Sequence, residues 1–323
     1  DEVYDCRRLG QLSDDELATV VARAHVFSRV IPEYKHRILT ALNATDITAM
    51  TGDGVNDIPA LTNANVGIAM GSGAQIARDA GDIILLDNNF RSIISAVHEG
   101  RTIYANIKRM VVYLLATNLG EVLVSIGSLL VGLPIPLLPV QILWVNLVTD
   151  TTMVIPLGVE PGSPQAMRRS PYHPKAPLLS RFMLSRVGLI AVVMAVITLG
   201  LYSMYYHSHG EGYARTIAFC ALVVMQWASA LAARSDYEPV WQRARRWSTA
   251  FYGGLAVSIA LQLVALFGPL EQWLHVAPIS WSDGVFVWIV AFFVPLAIIE
   301  GHKWLGRTYF GKGHAVVRSR RRR

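Results

Sequence analysis

The 323 residues are 53% hydrophobic and only 16% charged, against about 25% in an ordinary soluble domain, which excludes a single soluble globule. A net charge of +6, from 29 basic and 23 acidic side chains, fits a nucleic-acid partner, a membrane or a basic tail equally well, so position has to decide. Cys6 and Cys220 are the only cysteines and form no CxxC pair, which excludes a disulfide framework and a thiolate metal site.

The chain opens on the polar run DEVYDCRRLGQLSDDELATV, without an initiator Met or the apolar core of a signal peptide, and reads as an internal fragment. Residues 1–109 concentrate acidic side chains and alternate short apolar runs with polar-faced helical stretches, as a soluble α/β unit does. ITAM (47–50), VGIAM (66–70) and DIILLD (82–87) predict buried parallel strands. VNDIPALTNA and SGAQIARDAG predict helices between them, the second closing on Gly81.

Within this unit RVIPEYKHRIL places Lys35 shortly after Pro32. On spacing alone Lys35 is an exposed lysine, or a point charge reaching a phosphate if its helix ends at the sheet edge. MTGDGVNDIPAL follows a predicted strand and opens a helix, which puts Thr51, Asp53 and Asp57 at the carboxyl edge of a parallel sheet, with Gly52 and Gly54 freeing the backbone. Hard carboxylate oxygens suit Mg2+, and the loop amides with Asn56 suit phosphate oxygens. The competing reading is a plain Asp/Gly/Asn turn. TGDGVNDIPAL and VIPEYKHRI together resemble the haloacid-dehalogenase-like phosphorylation domain of P-type cation-transporting ATPases, with Ile58 in place of the usual Ala. That resemblance implies that Lys35 contacts an aspartyl phosphate, Asp53 binds Mg2+, and Asn56 and Asp57 order the phosphate site.

From Met110 the composition changes. Six apolar stretches, roughly 110–133, 137–158, 183–206, 214–233, 250–270 and 284–300, are each long enough to cross a hydrocarbon core of about 30 Å. The predicted architecture is therefore a partial α/β, Rossmann-like domain and stalk (1–109), an all-α six-helix transmembrane bundle (110–300) and a basic tail (301–323). Arg168, Arg169, Lys175 and Arg181, then Arg234, Arg243, Arg245 and Arg246, then the tail from Lys303 occupy one side, while the alternate connections carry no Lys or Arg. The positive-inside rule places both ends of the chain in the cytosol. The terminal RSRRRR reads as lying near anionic lipid or as solvated rather than as binding nucleic acid, since no aromatic residues interleave with it. Trp241, Trp247, Trp273, Trp281 and Trp304 fall near helix ends, as interfacial anchors do.

Polar side chains sit at bilayer depth. Asn118 and Glu121 are three residues apart, about 60° around a helix, and Asn146, Thr149 and Asp150 share one stripe of the next span. Glu121 and Asp150 lie about 16 Å and 20 Å into their helices, near the midplane. Carboxylates there cost roughly 2.5 to 3.5 kcal/mol each, so a shared cation or hydrogen bonding of protonated acids has to compensate. The donor set is all oxygen, which suits Ca2+ and disfavours copper or zinc. Gln226, about 18 Å into the fourth stretch, is a weaker candidate or a packing glutamine.

LLATNLGEVL and LPVQILWVNLVTD resemble the fifth and sixth membrane helices of type II P-type ATPases, most closely calcium pumps. The resemblance implies that Asn118, Glu121, Asn146, Thr149 and Asp150 bind the transported ion, with ATP as substrate and Mg2+ as cofactor. A glutamate commonly stands where this chain has Gln226, which favours one Ca2+ per cycle. The family's phosphorylated Asp in DKTGT, its TGE loop, nucleotide-binding domain and first four membrane helices have no counterpart here. The expected partner is accordingly the missing amino-terminal part of the same pump, and the fragment alone is expected to show no ATPase turnover. The pattern from Phe90 through Arg101, Lys108 and Arg109 predicts a nearly continuous stalk, interrupted at Gly100. Rival readings are a pump for Mn2+, Na+ or K+, or a non-catalytic membrane scaffold or regulator, and the composition points to a bacterial plasma membrane.

Overall fold

Residues 2–163, 166–168, 176–236 and 238–309 are described by the structure, a computed structural model, and they divide into a unit ending at Glu99 and another beginning at Gly100.

In the first unit the polar opening run holds structure that periodicity alone did not predict. Strands β1 (Glu2–Asp5) and β2 (Ala24–Ser28) pair in parallel. Between them α1 (Asp14–Arg23) starts on a capping box, with Glu16 Oε2 accepting from the Ser13 N–H at 2.8 Å and Ser13 Oγ accepting from the Glu16 N–H at 3.4 Å. Three acids in its first turn and Arg23 in its last complement the helix dipole. Cys6, Leu9, Leu17, Val21 and Ile38 close a small core beneath α1 and α2 (Pro32–Asn43).

The expected sheet is present as β3 (Ala49–Gly52), β4 (Val66–Met70) and β5 (Ile83–Leu85), all parallel and in that order, with α3 (Ile58–Asn63) and α4 (Gln75–Ala80) as crossovers. Gly81 does follow α4, but with φ −87° it is not a left-handed cap. A Cβ there would lie 2.9 Å from Ala69 Cβ, so close approach to β4 explains the glycine.

The second unit contains the six spans. Helix α5 (Phe90–Leu130) is one continuous 41-residue helix, and Gly100 does not interrupt it. The second span is composite: α6 (Pro139–Trp144), a π-helical turn over Val145–Thr149, and α7 (Asp150–Gly158). Then come α8 (Arg181–His209), α9 (Glu211–Ala233), the short α10 (Val240–Ala244), α11 (Thr249–Phe267) and α12 (Trp281–Tyr309). Gly210, at φ 85° and ψ 176°, makes the corner between α8 and α9, a conformation essentially restricted to glycine. Helix α9 is the buried centre of the bundle, with 89% of its apolar window inside against 22% to 39% for the other spans, whose apolar faces stay exposed as lipid-facing helices do. The chain is an integral, multi-pass membrane protein. Trp241, Trp247, Trp273, Trp281 and Trp304 are all more than half exposed, as anchors at a membrane boundary would be.

Two arginines read from the sequence as topological charges prove to be buried. Glu160 Oε1 accepts from Arg234 Nε at 2.9 Å and Arg243 Nε at 3.1 Å, and Asn106 Nδ2 donates to the Glu160 carbonyl at 2.8 Å. Arg169, Lys175 and the tail beyond Tyr309 lie outside the described residues.

Pro156 in α7 has no N–H to give the Thr152 carbonyl, and α11 packs against this irregular turn at Gly254. A Cβ on Gly254 would stand 2.5 Å from both Thr152 O and Pro156 Cγ. Gly254→Ala is therefore expected to destabilise the bundle by about 1–3 kcal/mol. Gly253→Ala, with open space at its Cβ, should be neutral. Thermal midpoints of the two variants in detergent check this.

Candidate functional site

Two groups of polar residues, one in each unit, contain most of the side chains singled out above. In the first unit β3 delivers the chain at Gly52 into a 3-10 turn, Val55–Asp57, that leads into α3. A Cβ on Gly52 would lie 2.5 Å from Asp57 Cβ, so the glycine is what allows Asp57 to tuck against the strand end. Gly54, at φ −114°, is in extended backbone that any residue adopts. Asp57 is buried. Its Oδ1 accepts from Lys35 Nζ at 2.6 Å and its Oδ2 from the Asp53 N–H at 3.3 Å. Burial pushes the Asp57 acid up, but the Lys35 hydrogen bond and charge, with the Asp53 amide, outweigh it and hold the group below the usual carboxylate range. Lys35 belongs to the first turn of α2, so the start of that helix, rather than its end, reaches the loop.

The Asp53 and Asn56 side chains are exposed, and Thr51 is half-buried. Asp53 is fixed through its backbone instead: its carbonyl accepts from the Ala74 N–H at 2.8 Å, and Gly73 passes so closely that a Cβ there would lie 2.7 Å from that oxygen. The loop thus presents one hard carboxylate with an open face, a donor set that fits Mg2+, which keeps most of its waters.

In the second unit the π turn precedes Asp150, whose N–H bonds the Val145 carbonyl. Such turns recur at functional positions in helices. Glu121 on α5 is 6% exposed, and Asn146 and Gln226 converge on it. Asn146 Nδ2 donates to Oε2 at 2.8 Å and Gln226 Nε2 donates to Oε1 at 3.2 Å. Asp150 is 3% exposed. Tyr113 and Thr117 neighbour it, yet neither meets hydrogen-bond geometry, and both Asp150 oxygens, with Gln226 Oε1, have no partner among the described residues. Leaving such atoms unmatched is costly, which makes them natural ligands for a cation.

The structure thus joins Glu121, Asn146 and Gln226 directly and sets Asp150 within electrostatic reach of Glu121. Thr149 is buried, but no hydrogen bond joins its side chain to either acid among the described residues. Asn118 is not brought in: it is exposed, and its amide folds back on the Leu114 carbonyl at 2.8 Å. Tyr113 and Thr117 escaped the sequence reading, although with Glu121 they stand at i, i+4 and i+8 on α5, one helical face. Among the described residues no three His, Cys, Asp or Glu side chains converge, so a cation held here would rest on two carboxylates supplemented by neutral oxygens.

Comparison with known proteins agrees with both halves. Residues 134–305 match the family described as "Cation transporting ATPase, C-terminus", and residues 37–97 match "haloacid dehalogenase-like hydrolase". A "Calcium-transporting ATPase" of Bacillus subtilis is 40% identical over 291 residues, 88% of this chain and 33% of that protein. "Calcium-transporting ATPase 1" of Bacillus cereus is 48% identical over 181 residues, 55% of this chain and 20% of the relative. "Cation-transporting ATPase pma1" of Synechocystis is 35% identical over 311 residues, 92% of this chain and 34% of the relative. The chain spans no more than about a third of the length of these relatives.

Proposed function

Because the chain belongs to the P-type cation-transporting ATPases, we propose that it supplies the phosphate loop and part of the ion site of a pump that uses ATP to drive Ca2+ across a membrane through an aspartyl-phosphate intermediate. The observation that carries this reading is the buried pair Glu121 and Asp150, with both Asp150 oxygens and Gln226 Oε1 unmatched among the described residues. Two carboxylates balance one divalent charge, and Gln226 adds a neutral oxygen, which supports one Ca2+ per cycle. The printed names of the two Bacillus relatives support the same ion.

At the phosphate loop, Asp57 orients the Lys35 ammonium at the carboxyl end of β3, where it would meet an incoming phosphoryl oxygen as a point charge. Asp53, exposed and without a side-chain partner among the described residues, would hold Mg2+, which when bound neutralises phosphoryl charge. Asn56, which is exposed, and the Thr51–Gly54 backbone belong to the same loop and would order the phosphate there. Phosphorylation and ion affinity are then reciprocally coupled, each changing the other by the same factor at equilibrium. Both ends of the chain lie in the cytosol, and the membrane is a bacterial plasma membrane.

The test uses the complete parent protein. ATP-dependent phosphoenzyme should rise with micromolar Ca2+ and not with Mn2+, Na+ or K+. A phosphoenzyme driven by one of those ions instead would reassign the cargo, and none under any ion would favour a scaffold.

A further inference from the structure

Helix α11 is the least buried of the six spans, and between Gly254 and Phe267 only Ser258 and Gln262 carry polar side chains. Four residues apart, the two share one face, and Gly254, four residues earlier, continues it against Thr152 and Pro156 of α7. Both polar side chains are buried, and each accepts a hydrogen bond from an indole on another span. Trp227 Nε1 on α9 donates to Ser258 Oγ at 2.9 Å, and Trp144 Nε1 at the end of α6 donates to Gln262 Oε1 at 3.1 Å. These indoles stand beside the two amides that meet Glu121. Trp227 follows Gln226, whose Nε2 donates to Glu121 Oε1 at 3.2 Å. Trp144 immediately precedes the π turn and lies two residues before Asn146, whose Nδ2 donates to Glu121 Oε2 at 2.8 Å.

Helix α11 makes no hydrogen bond to Glu121 or Asp150 among the described residues, so it acts on them only through the spans it holds. The π turn is the part that needs holding. One extra residue in a helical turn moves every later side chain by about 100° around the axis, and Asp150 is the first residue beyond it. We propose that Trp144 with Gln262, and Trp227 with Ser258, are positioning pairs for the cation site: α11 fixes the π turn and α9 so that Asn146, Asp150 and Gln226 already surround Glu121 when the ion arrives. This inference rests on the reading of Glu121 and Asp150 as the ion site. Within a bilayer no water replaces a lost acceptor of an indole N–H. A protein that has lost one pair spends less time in the competent arrangement, and its apparent ion affinity falls by that fraction, about fivefold for one interhelical hydrogen bond.

The test is equilibrium binding of radiolabelled Ca2+ to the complete pump in membranes, with phosphorylation from inorganic phosphate in the absence of Ca2+ as the second readout. Trp144→Phe and Gln262→Leu should each weaken Ca2+ binding about fivefold, and the two together no further, because they break the same bond. Ser258→Ala should also weaken it about fivefold, and about 25-fold when combined with Gln262→Leu, since the two pairs hold different spans. Ser258→Thr, which keeps the hydroxyl, should bind Ca2+ as the native protein does. Phosphorylation from inorganic phosphate should stay at the native level in every variant. Losses that multiply between Trp144→Phe and Gln262→Leu, or phosphorylation that falls in step with Ca2+ binding, would make the pairs ordinary packing and overturn the proposal. Native Ca2+ binding in these variants, with binding weakened in Asp150→Asn, would overturn the positioning role alone; native binding in Asp150→Asn would bring down the ion site on which it rests.

Discussion

Asp150→Asn in the complete pump is expected to lower the apparent Ca2+ affinity for phosphorylation from ATP by roughly 100-fold or more, whereas Glu121→Gln should have a smaller, still measurable effect. The order follows from what each carboxylate already has. Both Glu121 oxygens accept amide hydrogens, from Asn146 and Gln226. Both Asp150 oxygens lack a hydrogen-bond partner among the described residues. A cation therefore gains most from Asp150, and the Asn variant removes the charge while keeping the shape. In Glu121→Gln one oxygen becomes an NH2, so Asn146 or Gln226 loses its acceptor and has to turn its own oxygen inward. That turned amide oxygen can replace part of the lost coordination, which is why the smaller loss is expected. Phosphorylation from inorganic phosphate, measured without Ca2+, should survive both changes because it does not need the ion site filled. Unchanged Ca2+ dependence in Asp150→Asn would remove that residue from the site, and loss of both reactions would indicate a folding defect instead.

How much of this was legible in the sequence depends on whether a feature is local. An apolar run of about 20 residues carries its own explanation, and all six spans coincide with helices. β4 and β5 were legible for the same reason, as short apolar runs bounded by turn residues. The β1 and β2 pair was not, because exposed parallel strands in a polar run lack the apolar signal. The capping box at Ser13 and Glu16 was a visible mark of α1. Periodicity also places Asn118 and Glu121 near each other around α5 but cannot say which of them faces the bundle; packing buries Glu121 and leaves Asn118 outside. Contacts between distant segments were beyond reach altogether. Gln226 meets Glu121 across 105 positions, and Lys35 meets Asp57 across 22.

That last contact yields the second large effect. Lys35→Met should reduce phosphoenzyme formation by about 100-fold or more, because it removes the point charge at the loop and also frees Asp57 from its orienting partner. It should destabilise the fold as well, and the pH dependence identifies the cause. In the native chain Asp57 is held below its usual range, so the pair contributes stability that is fully present above the unfolded carboxylate value of about 3.9 and is lost as pH falls through the folded value. Without Lys35 the burial of Asp57 dominates, its folded value moves up, and the carboxylate becomes a penalty that grows as pH rises. The gap in thermal midpoint between native and variant protein should therefore be wide at pH 7 and narrow toward pH 4. Since Lys35 is 35% exposed, solvent screening limits the cost at pH 7 to about 1–2 kcal/mol. Asp53→Ala separates the two roles. Its carboxylate is exposed and makes no hydrogen bond or ion pair among the described residues, so stability should stay within about 0.5 kcal/mol of native while Mg2+-dependent phosphorylation disappears. If Asp53→Ala remains fully active, the metal belongs elsewhere, and if the Lys35→Met gap is independent of pH, the ion pair with Asp57 is not what stabilises the loop.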